Sequence, residues 1–339
     1  MKKKELKTAW VVGSVAILSV LIGGFCYLLG YFVAQKHYES LFGDFTPIRQ
    51  AGSTYPLIAP LLGFRAPEAT DLGKYVALKQ SLEEAAKEAT STGVASEVSI
   101  YFRDLNVSEW VGVNQNATYY PASLLKVPVL IAYYKEAQDS PEILSQQVVY
   151  RPVSAAQFDA PSTLVPGKSY SVEQLLESMI VESDNGATQT LLARINPAVL
   201  DKVYVDLGIT NPGVNSATYE LSARSYGLFF RVLYNATYLE PEYSEKALAL
   251  LSKATFAQGL VAGVPDNVVV AHKFGEHVLS KGNTPTGVEF HDCGVVYYPK
   301  HPYLLCAMTS AKDISSAYSI LKKISALTYS AVDAQYAER

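Results

Sequence analysis

Runs and alternations of apolar residues divide the chain into an anchor, a connecting stretch and a long mixed domain. Thr8 to Ala34 contains 27 residues without a charge. As a helix this run would measure about 40 Å, enough to cross a hydrocarbon core of about 30 Å with tilt. Trp10 lies near one end and Tyr27 and Tyr31 near the other, where aromatic rings suit the two membrane interfaces. A cleavable signal peptide has a shorter apolar core followed by a small-residue cleavage site. Phe25-Cys26 fits a lipoprotein cleavage box poorly. Lys2, Lys3, Lys4 and Lys7 precede the run, against Lys36 and Arg49 after it. The expectation is a transmembrane signal anchor over 8–34, a cytoplasmic tail over 1–7, and the remainder outside the cell membrane.

Residues 35–70 are mixed, and Pro47, Pro56, Pro60 and Pro67 break any helix there. Tyr55 to Leu62 is too apolar for a free linker, so this stretch is expected to dock on the domain that follows, residues 71–339. Asp71 to Ala89 reads as an amphipathic helix with Leu72, Val76, Leu78, Leu82, Ala85 and Ala86 along one side. Val98–Leu105 and Trp110–Val113 alternate as two strands around Asn106. A helix-rich stretch comes next. Val127 to Tyr134 is apolar, Ser171-Val-Glu-Gln174 is a capping box, and Asn196-Pro197 opens a short helix that ends at Gly208. Ser222–Tyr234 is helical, with Leu228, Phe229, Val232 and Leu233 as its buried stripe, and Glu240-Pro241 opens one more. Strands return at Asn267–Lys273, and at Val288–Tyr298 with Tyr303–Thr309, before Asp313 caps a final helix. There is no internal repeat.

With 339 residues, 49% of them hydrophobic, the chain can bury a large core. The formal charge is −4, of which the first seven residues contribute +3, leaving −7 on the rest. No basic stripe exists to displace counterions, so nucleic acid is not an expected partner. Of the three cysteines, Cys26 lies in the apolar run, and Cys293 and Cys306 fall on neighbouring strands. A bridge between the latter two and a pair of buried free thiols both remain open. Asn106, Asn116 and Asn235 stand in glycosylation sequons, which matter only if the source glycosylates exported proteins. His272 and His277 lack a carboxylate or third ligand at metal spacing and read as structural histidines. Neither a metal nor a cofactor is expected.

Candidate chemistry begins at Pro121-Ala-Ser-Leu-Leu-Lys-Val-Pro128. Ser123 and Lys126, three residues apart, share one helix face, and an amine with lowered proton affinity there could deprotonate the hydroxyl. If Ser123 opens the helix, its N–H can face a developing oxyanion. The spacing recurs as Ser319-Ile-Leu-Lys322, which reads as an ordinary turn of the last helix. Ser183-Asp184-Asn185 lies at a helix end. Extended backbone there would aim Ser183 and Asn185 one way and Asp184 the other, so that Ser183 could relay a proton and Asn185 hold Lys126 or a substrate carbonyl. Lys273-Phe274-Gly275 ends a strand. Its cation could bind a substrate carboxylate and lower the proton affinity of the other lysine, Gly275 would permit close approach, and the N–H of Glu276 could be a second oxyanion donor.

In this order, S-x-x-K, S-D-N and K-x-G resemble the penicillin-recognising serine hydrolases, most closely class A β-lactamases. The likeness extends over about residues 71–335 and includes the Tyr120–Pro128 text, Ala271–Gly275, and His291-Asp-Cys-Gly-Val-Val-Tyr297. It implies an α/β (α+β) fold in two lobes, an antiparallel sheet flanked by helices plus an all-helical lobe. The implied reaction is acyl transfer: Ser123 attacks, Lys126 takes its proton, and Ser183 protonates the departing nitrogen, with Lys273 counted among the catalytic residues. Two departures stand out. The loop Asn211–Leu221 offers only Glu220 where the family carries a water-activating glutamate, and charge at a helix entry explains Glu220 more simply. Phe274 replaces the hydroxyl residue of K-T-G, which removes one contact to a substrate carboxylate. The expected substrates are β-lactams or D-Ala-terminated wall peptides, handled by a monomeric domain. The alternatives are a β-lactam-inhibited D,D-carboxypeptidase or transpeptidase and, in another class, a non-catalytic receptor for wall fragments.

Overall fold

The computed structural model describes residue 24 and residues 46–50, 55–65, 74–107, 109–152, 162–209, 220–282 and 284–337. Apart from Gly24, the expected tail and membrane run lie outside the described residues. Among the described residues, no helix is long and apolar enough to cross a membrane. One compact unit comprises Thr46–Phe64 and Asp71–Arg339.

Two short strands come first, β1 (Thr46–Arg49) and β2 (Leu61–Arg65), paired with each other. Helix α1 (Val76–Ser91), strands β3 (Ala95–Asp104), β4 (Trp110–Val113) and β5 (Thr118–Tyr119), and helix α2 (Lys126–Asp139) follow. Next come β6 (Gln147–Val149), β7 (Ser169–Ser171), α3 (Val172–Val181), α4 (Asn185–Leu192), α5 (Pro197–Asp206), β8 (Leu221–Ser222), α6 (Ala223–Tyr234) and α7 (Pro241–Leu251). The chain closes with β9 (Val270–Lys281), β10 (Thr284–Val296), β11 (Tyr303–Ala311) and α8 (Ile314–Tyr336).

Five of these strands form one antiparallel sheet in the order β4-β3-β11-β10-β9, which leaves β9 at an edge. Side chains alternate across a strand, so each strand feeds two cores. Tyr101, Ala271, Val295, Leu304 and Met308 pack with the helical lobe of α2 to α7. Their neighbours Phe102, Val270, Phe290, Val296 and Leu305 pack with α1 and α8 on the other face. Helix starts follow the local chemistry. Ser171 and Gln174 form both halves of a capping box, and Asn196, Ser222 and Asp313 each accept an N–H from the first turn of their helices.

Three features differ from the sequence reading or resolve it. Strand β9 does not stop near Lys273 but runs on to Lys281, because the long arm of β10 pairs with it as far as Thr284. Cys293 and Cys306 sit directly opposite one another on β10 and β11 and are joined as a disulfide. The connecting stretch is partly strand and packs on the helical lobe: Ala59 N–H donates to Tyr234 O at 2.9 Å and Leu61 N–H to Asn235 O at 3.0 Å. Arg49 donates to Asn235 Oδ1 at 3.0 Å with its guanidinium 5.0 Å from the Tyr234 ring, so the Asn235 sequon is buried and spoken for.

Candidate active site

Ser123 lies in a 3₁₀ turn, Ala122–Leu125, which passes directly into α2 at Lys126. The turn closes with Lys126 N–H donating to Ser123 O, so the backbones of the two residues follow one another on one side of it. Ala122 is held at φ 49° and Ser183 at φ 59°. Left-handed backbone costs a residue with a Cβ on the order of 1–2 kcal/mol, and of the five such residues among those described one precedes Ser123 and one is Ser183 itself.

The S-D-N segment reaches the expected arrangement by a different backbone. It is not extended: Ser183 is left-handed, Asp184 is the N-cap of α4, and Asn185 is the first helical residue. Ser183 and Asn185 nevertheless both meet the Lys126 ammonium, which donates to Ser183 O at 2.5 Å, Ser183 Oγ at 2.9 Å and Asn185 Oδ1 at 2.7 Å. Asp184 turns away, accepting Ala187 N–H at 2.7 Å and the Tyr150 hydroxyl at 3.1 Å.

Lys273 comes from the edge strand to the same oxygen, donating to Ser183 Oγ at 2.9 Å and to Phe274 O at 3.1 Å. With Lys126 and Lys273 both donating to it, Ser183 Oγ has its two acceptor directions filled, and its own O–H is the direction left to point elsewhere. Burial holds the Lys273 ammonium well below its ordinary proton affinity, the nearby Lys126 charge pushes the same way, and Asp292 opposes both. Gly275 lets β9 lie against the serine turn, since a Cβ there would come within 2.5 Å of Pro121 O and 3.2 Å of Leu124 N. Glu276 follows at the exposed rim. The second S-x-x-K behaves as an ordinary helical turn: the exposed Ser319 hydroxyl returns to Ser315 O at 2.9 Å within α8.

Histidines and aromatic rings contribute more than the sequence suggested. His291, fully buried and opposite Gly275 in the sheet, places Nε2 3.1 Å from Tyr120 O, three residues before the serine. A carbonyl only accepts, so Nε2 carries the proton. Burial pushes this ring's pKa down to about 4, which leaves it neutral near pH 7. His277 packs its ring 4.6 Å from that of Tyr120. His272 does have a carboxylate partner, Asp292 at 2.8 Å, supplied by β10. That partner was invisible without the pairing register. Among the described residues, no group of three His, Cys, Asp or Glu side chains could hold a metal ion. Glu220 is exposed and accepts the Thr118 hydroxyl at 2.7 Å, beside the β5–β8 pairing.

A sheet with helices on both faces, and two buried lysines meeting on one serine hydroxyl where sheet and helical lobe join, define a serine hydrolase of the β-lactamase type. The model of the Beta-lactamase enzyme family matches residues 77–332, and the chain belongs to that family. Among solved structures it is similar to PBP-A, with a TM-score of 0.65 at 20% identity over 76% of this chain and 97% of that one. A β-lactamase from Xanthomonas campestris gives a TM-score of 0.65 at 20% identity, covering 75% and 98% of the two chains. A class A β-lactamase from Mycobacterium abscessus gives 0.64 at 17% identity, covering 74% and 99%. No curated protein matches the chain.

Proposed function

We propose that the chain is a membrane-anchored acyl-transfer enzyme with Ser123 as its nucleophile. In its neutral form Lys126 releases one of its three donor bonds, and its lone pair takes the hydroxyl proton as Ser123 Oγ attacks a carbonyl carbon. The C–N bond then breaks, Ser183 passes a proton to the departing nitrogen, and an ester remains on Ser123 until water or an amine removes the acyl group. The peptide N–H groups of Ser123 and Glu276 would hold the oxyanion. Asn185 keeps the Lys126 amine aligned. The observation that carries this reading is the convergence of Lys126 and Lys273 on Ser183 Oγ, each at 2.9 Å. The family points to β-lactams and D-alanyl wall peptides as acyl donors.

Glu220 favours one variant of this reading. It is tied to Thr118 and exposed, which makes it a poor activator of a deacylating water. A long-lived acyl-enzyme, the behaviour of a β-lactam-inhibited D,D-peptidase, follows from that placement. Stopped-flow mixing of the full-length protein with a chromogenic lactam is expected to give a burst of one equivalent and then a slow steady phase. Rapid turnover without a burst would instead mark an efficient lactam hydrolase.

A further inference from the structure

The cation on β9 is not available to a substrate anion. Lys273 is 1% exposed, and two of its protons go to Ser183 Oγ at 2.9 Å and Phe274 O at 3.1 Å. The Phe274 ring covers it further, its centroid 4.1 Å from Nζ. That ring is wedged in place. It stacks on Phe256 at 4.1 Å with planes 24° apart, and Phe256 in turn packs 5.6 Å from both Phe290 and Tyr318. The Lys126 ammonium is likewise 2% exposed and spent on Ser183 and Asn185. Beyond Phe274, the next side chain on the same face of β9 is Glu276, a carboxyl with no ion-pair partner among the described residues.

A carboxylate brought against this wall would lose water and gain no charged donor, and it would face a second acid. An amide, an ester or an apolar group would lose little there, and the Phe256–Phe274 pair offers it a flat apolar surface. We infer that Phe274 is a specificity-determining residue that disfavours acyl donors bearing a free carboxylate beside the leaving nitrogen. The preferred donor is then an amide inside a longer chain, or a neutral ester or lactam, rather than a free C-terminal unit. This rests on the acyl-transfer reading and narrows its substrate class.

The test compares two probes that differ only in that group, benzylpenicillin and its methyl ester. Acylation of the full-length protein by each is followed by intact mass spectrometry. The wild type is expected to react with the ester at least as fast as with the free acid. Phe274→Thr, which uncovers Lys273 and adds a hydroxyl, is expected to shift the rate ratio toward the free acid by about 10–100-fold, the usual worth of a hydrogen bond to a charged group. Should that variant fold poorly, Glu276→Gln is expected to move the ratio the same way by a few-fold. A wild-type preference of tenfold or more for the free acid overturns the inference while leaving the acyl-transfer reading intact. Absence of any adduct from either probe sinks that reading, and this one with it.

Discussion

The Ser183 hydroxyl can accept two hydrogen bonds and donate one, and two lysines have already taken the accepting directions. A single oxygen thereby fixes the position of both ammonium groups and aims its own proton. The residue types were legible in the sequence, because few pairs of a serine and a lysine do chemistry outside a recognisable order of motifs. The capping of Lys273 by its own neighbour was not, since an alternating strand gives no hint that a long side chain curls back onto the next ring. His291 shows another limit. Its partner is a backbone carbonyl 171 residues earlier in the chain, which no local pattern announces. The folded-state pKa of this histidine, about 4, lies below its ordinary 6.5, so between these values the unfolded chain binds a proton that the folded chain does not. Stability from this group is therefore full above about pH 6.5 and falls as pH drops toward 4, by about 3 kcal/mol in total. Urea midpoints at pH 7 and pH 4.5 are expected to differ less in His291→Gln than in the wild type. An equal difference in both proteins would mean that His291 does not titrate in that window.

Strand β9 and the serine turn meet because position 275 has no side chain. Gly275→Ala would press a methyl group against the Pro121 carbonyl, and backbone cannot rotate aside as a flexible side chain can. The expected result is a loss of about 1–3 kcal/mol in unfolding free energy and acylation slower by at least tenfold, read from urea melts and adduct formation. Unchanged acylation would show that β9 does not set the position of Ser123. Elements governed by short-range chemistry were readable in advance: the caps at Ser171, Asn196, Ser222 and Asp313 mark their helices within a residue or two. Elements that exist only through a distant partner were not. The outer half of β9, with Glu276, His277, Ser280 and Lys281, looks like a loop until the arm of β10 pairs with it. The strands β1 and β2 are similar, since four or five residues among prolines make no strand without each other.

At the scale of the molecule, the candidate site lies where a two-faced sheet meets a helical lobe, so neither half alone completes it. The row Lys273, Cys293, Cys306, Tyr101 crosses four strands in register, placing a disulfide directly beside the residue that carries Lys273. A disulfide there agrees with folding outside the reducing cytoplasm, as does the proposed anchor. The full-length protein is accordingly expected to stay in the membrane fraction through alkaline carbonate washing, and release into the supernatant would remove the anchor from the account. The central claim remains covalent chemistry at one hydroxyl. Its most direct measurement is peptide mapping by mass spectrometry after the full-length protein has been incubated with excess benzylpenicillin or its methyl ester. The account predicts a mass increase confined to the peptide containing Ser123 and absent from Ser123→Ala. An adduct on another residue, or none on a folded protein, would contradict it.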